Sequence, residues 1–169
     1  KNALEIRTNH PECYNNLGNT FRALGRFEDS VECYQRAVEL KPDYSEAHNN
    51  LGLILQALGR LDGAVVSFQK ALTLNSNYAD AHYNLGISLR ELGKLDEAER
   101  VFKRSVKLDS EYVNAYKALS KVYKKQGNKS EYVKFVSRAR DLEREAERRE
   151  LGRSAMPWAT GTPLMRKTL

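Results

Sequence analysis

Asparagine recurs in this chain at a spacing that could do chemistry. Asn16, Asn50 and Asn84 stand thirty-four residues apart, each just before a Leu-Gly pair. A carboxamide accepts a hydrogen bond from an N–H and donates one to a C=O at the same time. A row of them could grip an extended main chain whatever side chains it carries. Asparagine is a poor helix former, so holding it at one register in three places costs stability without adding core. The competing explanation is a solvated helix surface, or hydrogen bonds between adjacent helices. Repetition of a costly residue favours a binding role.

Other chemistries find less support. His48 and His82 share a position with Tyr14 and Tyr116, which is the behaviour of half-buried packing residues. The chain has no phosphate-binding loop, dinucleotide fingerprint or zinc spacing, so no catalytic residue, metal site or cofactor is expected. Two cysteines, Cys13 and Cys33, are too few for a disulfide framework. They read as small packing residues and favour a reducing compartment such as the cytoplasm, although the sequence otherwise leaves the location open.

The elements that must position the asparagines follow from the repeat itself. Counting units from Pro11, Ser45, Ala79 and Val113, position 7 is Leu17, Leu51, Leu85 and Leu119. Position 8 is Gly18, Gly52, Gly86 and Ser120, and position 15 is Gly25, Gly59, Gly93 and Gly127. Apolar residues at positions 7, 11 and 14 have helical spacing. The glycine at 15 ends that helix by taking a left-handed conformation. A second helix follows, apolar or small at 17, 20, 24, 27 and 28. The small residue at position 8 implies close antiparallel contact within each pair. One helix pair cannot bury its own apolar face, so successive pairs must stack.

These residues resemble the tetratricopeptide repeat: a bulky residue, Leu-Gly, a second bulky residue, then Ala, an aromatic, Ala and Pro within thirty-four residues. The resemblance is strong over residues 11–112. It departs at position 4, where Tyr14, His48, His82 and Tyr116 replace tryptophan, and at Ser76 and Ser110, where proline is common. It implies an all-α, right-handed α-solenoid. Residues 1–10 would close an earlier repeat, since Ala3 lies thirty-four before Ala37. Repeats would cover 11–44, 45–78 and 79–112. A degenerate capping repeat would cover 113–146, with its charged helix running to about 152 and projecting into solvent. Residues 153–169, with Met156-Pro157-Trp158, would form a flexible tail.

The same resemblance places the first helix of each pair along a concave inner surface. It implies a peptide-binding role for Asn16, Asn50 and Asn84, with Asn15, Asn19 and Asn49 beside them. O-GlcNAc transferase and the peroxisomal import receptor are similar in holding peptides with inner-surface asparagines. Arg90, Lys117 and Lys121 would make the far end of the groove basic and attractive to an acidic peptide. The clamp for chaperone C-termini is not expected, because Asn15, Asn19, Asn50, Asp80 and Asn84 supply the asparagines of that pattern but not its cations.

Charge fits this division. Residues 1–112 hold fourteen Lys and Arg against sixteen Asp and Glu, a balance of −2, and residues 113–169 hold fourteen against six, a balance of +8. The later cations alternate with Glu143, Glu145, Glu147 and Glu150 and lack an aromatic stacking platform, which argues against nucleic acid. No apolar run approaches the roughly 18 residues of a membrane span. The expected function is an interaction module binding a protein or peptide segment. The alternatives are a substrate-presenting arm of a larger enzyme, such as a glycosyltransferase, and a structural subunit of an assembly. Self-association through the N-terminal half repeat or the tail is a further expectation.

Overall fold

The computed structural model describes residues 10–154. The expected half repeat over 1–10 and the tail from 155 onward lie outside the described residues, His10 excepted. Eight helices follow one another: α1 (Pro11–Ala23), α2 (Phe27–Leu40), α3 (Ser45–Ala57), α4 (Leu61–Leu74), α5 (Ala79–Glu91), α6 (Leu95–Leu108), α7 (Val113–Lys125) and α8 (Lys129–Ser154). No strand occurs among the described residues.

Local chemistry sets the helix ends. None of α1–α7 has a side-chain N-cap hydrogen bond. Helices α1–α6 instead carry one or two acids in the first turn, where the helix dipole favours negative charge. Each first helix stops at the predicted glycine: Gly25, Gly59, Gly93 and Gly127 have φ between +71° and +78°, a region only glycine enters without strain.

Within a pair, the glycine at position 8 lets an aromatic ring lie on the helix backbone. A Cβ on Gly18 would come within 2.7 Å of Tyr34, on Gly52 within 2.6 Å of Phe68, and on Gly86 within 2.5 Å of Phe102. All three rings are fully buried. The fourth unit has Ser120 at that position and Val136 in place of the ring. The hydroxyl of Ser30 on α2 donates to the Gly18 carbonyl at 2.8 Å, tying the first pair at the same crossing.

Between pairs, each second helix packs on the first helix that follows it. Each first helix also touches its counterpart in the next unit: α1 with α3, α3 with α5, α5 with α7. Successive second helices make no contact of that extent. The stack is therefore tighter on the side of the first helices, which places them on the inside of the curve.

Two expectations about buried side chains come out differently. Cys33 is buried but Cys13 is exposed. Helix α8 does not simply project. Arg149 holds Glu111, in the turn before α7, with two hydrogen bonds of 2.9 Å, and Glu143 accepts from Lys117 at 2.5 Å.

His82 predicts a pH dependence. Its Nε2–H donates to the Ser76 carbonyl at 3.0 Å, while its Nδ1 is buried without a partner. Burial holds its pKa below the ordinary value of 6.5. A lowered folded-state pKa means that the unfolded chain takes up the proton first as pH falls. Stability should therefore be constant above about pH 6.5 and decline below it. Thermal melts from pH 7.5 to 5 should show this decline, and His82→Tyr, the residue type of units one and four, should reduce it.

Candidate functional site

The inner face is built by α1, α3, α5 and α7. Its asparagines form a chain of bonds that crosses from unit to unit. Asn50 Nδ2 donates to Asn15 Oδ1 at 3.0 Å, and Asn84 Nδ2 donates to Asn49 Oδ1 at 3.3 Å. Asn15 in turn donates to Glu46 at 3.2 Å, and Asn49 donates to the Tyr78 hydroxyl at 3.3 Å. Position 6 of one unit thus bonds to position 5 of the unit before it.

This pattern separates the six asparagines. Asn15 and Asn49 are 0% and 3% exposed, and each bonds through both its oxygen and its nitrogen. They serve the helix–helix contact, because a buried carboxamide without partners would cost stability. Asn50 and Asn84 turn their nitrogens to the neighbouring helix. Their Oδ1 atoms accept no bond among the described residues and are not sealed from solvent. Asn16 is exposed. Asn19 is half-buried, and its Oδ1 accepts from the Tyr34 hydroxyl at 2.7 Å.

The ladder carries a testable cost. Asn15→Ala removes an acceptor from Asn50 and a donor from Glu46 at a fully buried site. It should destabilise the array by about 1–3 kcal/mol, measured by urea denaturation. Asn16→Ala, at an exposed position, should change stability by no more than about 0.5 kcal/mol.

The basic residues are also distinguished by their partners. Lys117 is tied to Glu143 of α8. Arg22, Arg90 and Lys121 have no ion-pair partner among the described residues. Arg22 and Lys121 are exposed and Arg90 is half-buried. At the opposite ends of the first helices, Glu12 is bonded to Lys41 at 3.4 Å. Hydrogen bonding to its own backbone N–H is the main cause holding the Glu12 carboxyl below the usual range.

Several contributors escaped the sequence reading. Gln56 spans α3 to α5, donating to Ser88 Oγ at 2.9 Å and to the Asn84 carbonyl at 3.4 Å. Tyr78 and Glu46 anchor the ladder. The available signal was the Asn-Asn doublet at 15–16 and 49–50, which makes a donor and an acceptor thirty-five apart.

The described residues contain no cluster of three or more His, Cys, Asp or Glu able to hold a metal ion. None of their helices is long and apolar enough to cross a membrane.

Two family profiles match the chain, one described as TPR repeat over residues 18–59 and one as Tetratricopeptide repeat over residues 43–111. The chain belongs to the tetratricopeptide-repeat family, and its fold is the helical solenoid of that family. A crystal structure of MamA is 27% identical, with 86% of this chain and 85% of that chain aligned at a TM-score of 0.82. MamA from Desulfovibrio magneticus RS-1 is 19% identical, with 82% and 78% aligned at 0.77. The first TPR of Spaghetti (RPAP3), bound to the HSP90 peptide SRMEEVD, is 21% identical, with 69% and 93% aligned at 0.69. The last two likenesses are of fold alone. A search of curated protein sequences returns no match. Fold and family together support a protein-interaction module.

Proposed function

We propose that the inner face of this array binds an extended, acidic segment of a partner protein. The observation that carries the reading is the set of inner-face groups left without partners. The Oδ1 atoms of Asn50 and Asn84 are open to a main-chain N–H, and Arg22, Arg90 and Lys121 have no ion-pair partner among the described residues. The asparagines hold the main chain and the cations select charge. Asn16 contributes from the exposed end of the row. Asn15 and Asn49 act indirectly, by fixing the orientation of Asn50 and Asn84. Lys117 takes part once an acidic ligand displaces Glu143. The reaction-supporting groups of an enzyme are not part of this reading.

A peptide-display selection on the immobilised chain tests it. Enriched sequences should be rich in Asp and Glu and should elute with salt, as exposed charge pairs are screened. The Arg90→Glu/Lys121→Glu variant should lose that enrichment. Enrichment without acidic bias, or bias unchanged in the variant, would sink the reading.

A further inference from the structure

The C-terminal end of the array keeps one half of a repeat joint. In the joint between α2 and α3, Val31 and Tyr34 pack in one cluster with Leu51, Ile54 and Leu58. Val31 is 6% exposed there, and Val65, at the same position on α4, is 9% exposed. On α8 that position is Val133, which is 62% exposed. Beside it opens a cavity of about 410 Å³ lined by Tyr123, Lys124, Gly127, Lys129, Tyr132 and Val133. The fourth unit, read from its sequence as a degenerate cap, carries this apolar seat.

The charge around the seat is more positive than at the interior joints. Inside the array, the second helices begin with acids: Glu28 and Asp29 on α2, Asp62 on α4, Asp96 and Glu97 on α6. At the first and third joints the following unit meets them with donors. Arg60 bonds Glu28 at 3.1 Å, and Gln126 bonds Asp96 at 3.0 Å and Glu99 at 3.2 Å. On α8 the residue equivalent to Glu28, Asp62 and Asp96 is Ser130, preceded by Lys129; the one acid kept in this first turn, Glu131, is paired with Lys134 at 3.5 Å. Lys124 and Lys129 have no ion-pair partner among the described residues.

That positive charge selects the occupant. A second copy stacking by its first unit would bring Arg26, the counterpart of Arg60, against the lysines. Residues 155–169 contain Arg166 and Lys167 and no acid. Both are disfavoured by like charge. We propose that this end docks an amphipathic helix of another protein, which stacks on α7 and α8 as a further first helix would. Two apolar side chains one turn apart, like Ile54 and Leu58, fill the cavity. Acidic residues at its C-terminal end meet Lys124 and Lys129, where the helix dipole is also negative. This site borders the inner face at Lys124, which shares the register of Arg22 and Arg90, and takes its apolar lining from Tyr123, Tyr132 and Val133.

The test uses the full chain, labelled for amide NMR, and a lactam-stapled helical peptide with the sequence of residues 45–60. One version keeps Arg60 and the other carries Arg60→Glu. The acidic version should perturb the amides of Gly127, Tyr132 and Val133 and bind at least tenfold more tightly than the basic one. Lys129→Glu in the chain should reverse that preference, and Val133→Arg should abolish binding while leaving the circular dichroism unchanged. Arg90→Glu should leave binding intact, which separates this site from the groove. Failure to bind, indifference to peptide charge, or shifts at Asn84 would overturn the proposal. So would self-association in sedimentation that Val133→Arg abolishes, which would name a second copy. A change at the Val133 amide on removing residues 155–169 would name the chain's own tail and overturn it equally.

Discussion

Replacing Phe102 with alanine is expected to destabilise the array by about 3–5 kcal/mol, the usual cost of emptying a fully buried aromatic site. Phe102 is 0% exposed and belongs to an apolar cluster whose buried members lie on α4, α5, α6 and α7. Its ring lies against the backbone of Gly86 and 5.9 Å from the Tyr83 ring. Stacked repeats share stability with their neighbours only, so the loss should fall first on units three and four. Urea denaturation followed by amide exchange should show α5–α8 opening while α1–α4 stay protected. Uniform loss across all four units would mean that the array melts as a single block.

The second large effect is expected from the smallest side chain. Gly52→Ala places a methyl group 2.6 Å from the Phe68 ring, which is itself fully buried. Overpacking of this kind costs about 1–3 kcal/mol, against the gain of up to about 1 kcal/mol that alanine otherwise brings to a helix interior. Because the clash is with a ring, shrinking the ring should relieve it. In Gly52→Ala/Phe68→Val the two losses should sum to less than their separate values, with a coupling of about 0.5–3 kcal/mol, as for residues in direct contact. The fourth unit, with Ser120 and Val136 at these positions, already pairs a residue larger than glycine with a side chain smaller than phenylalanine. Simple additivity in thermal melts would refute the close-contact account of the glycine.

The array was legible in the sequence because its causes are local and repeated. Each glycine turn, each acidic first turn and each Gly–aromatic contact is specified within one thirty-four-residue unit. The inner face was legible only in part. Asn16, Asn50 and Asn84 stood out by repetition, but repetition does not tell which atom of a carboxamide faces inward. That depends on the register between units, which pairs Asn50 with Asn15 and Asn84 with Asn49. Lys117 looked free because its partner Glu143 lies on another helix. The open seat at Val133 was hidden for the opposite reason. Valine also stands at that position in units one and two, and only its exposure makes Val133 unusual.

The asparagine ladder also stops before the array does. Position 5 of unit three is Tyr83 and position 6 of unit four is Ala118, so no carboxamide crosses from α5 to α7. The polar ties at that joint move to the far ends of the helices, where Tyr123 bonds Glu99 at 3.0 Å and Gln126 bonds Asp96 and Glu99. The first two joints are pinned along the inside of the curve and the third along its turn edge. If the array is considered as an elastic coil, widening the groove would break carboxamide bonds at the first two joints, whereas at the third it would work against the apolar packing of Phe102, Leu119 and Tyr123.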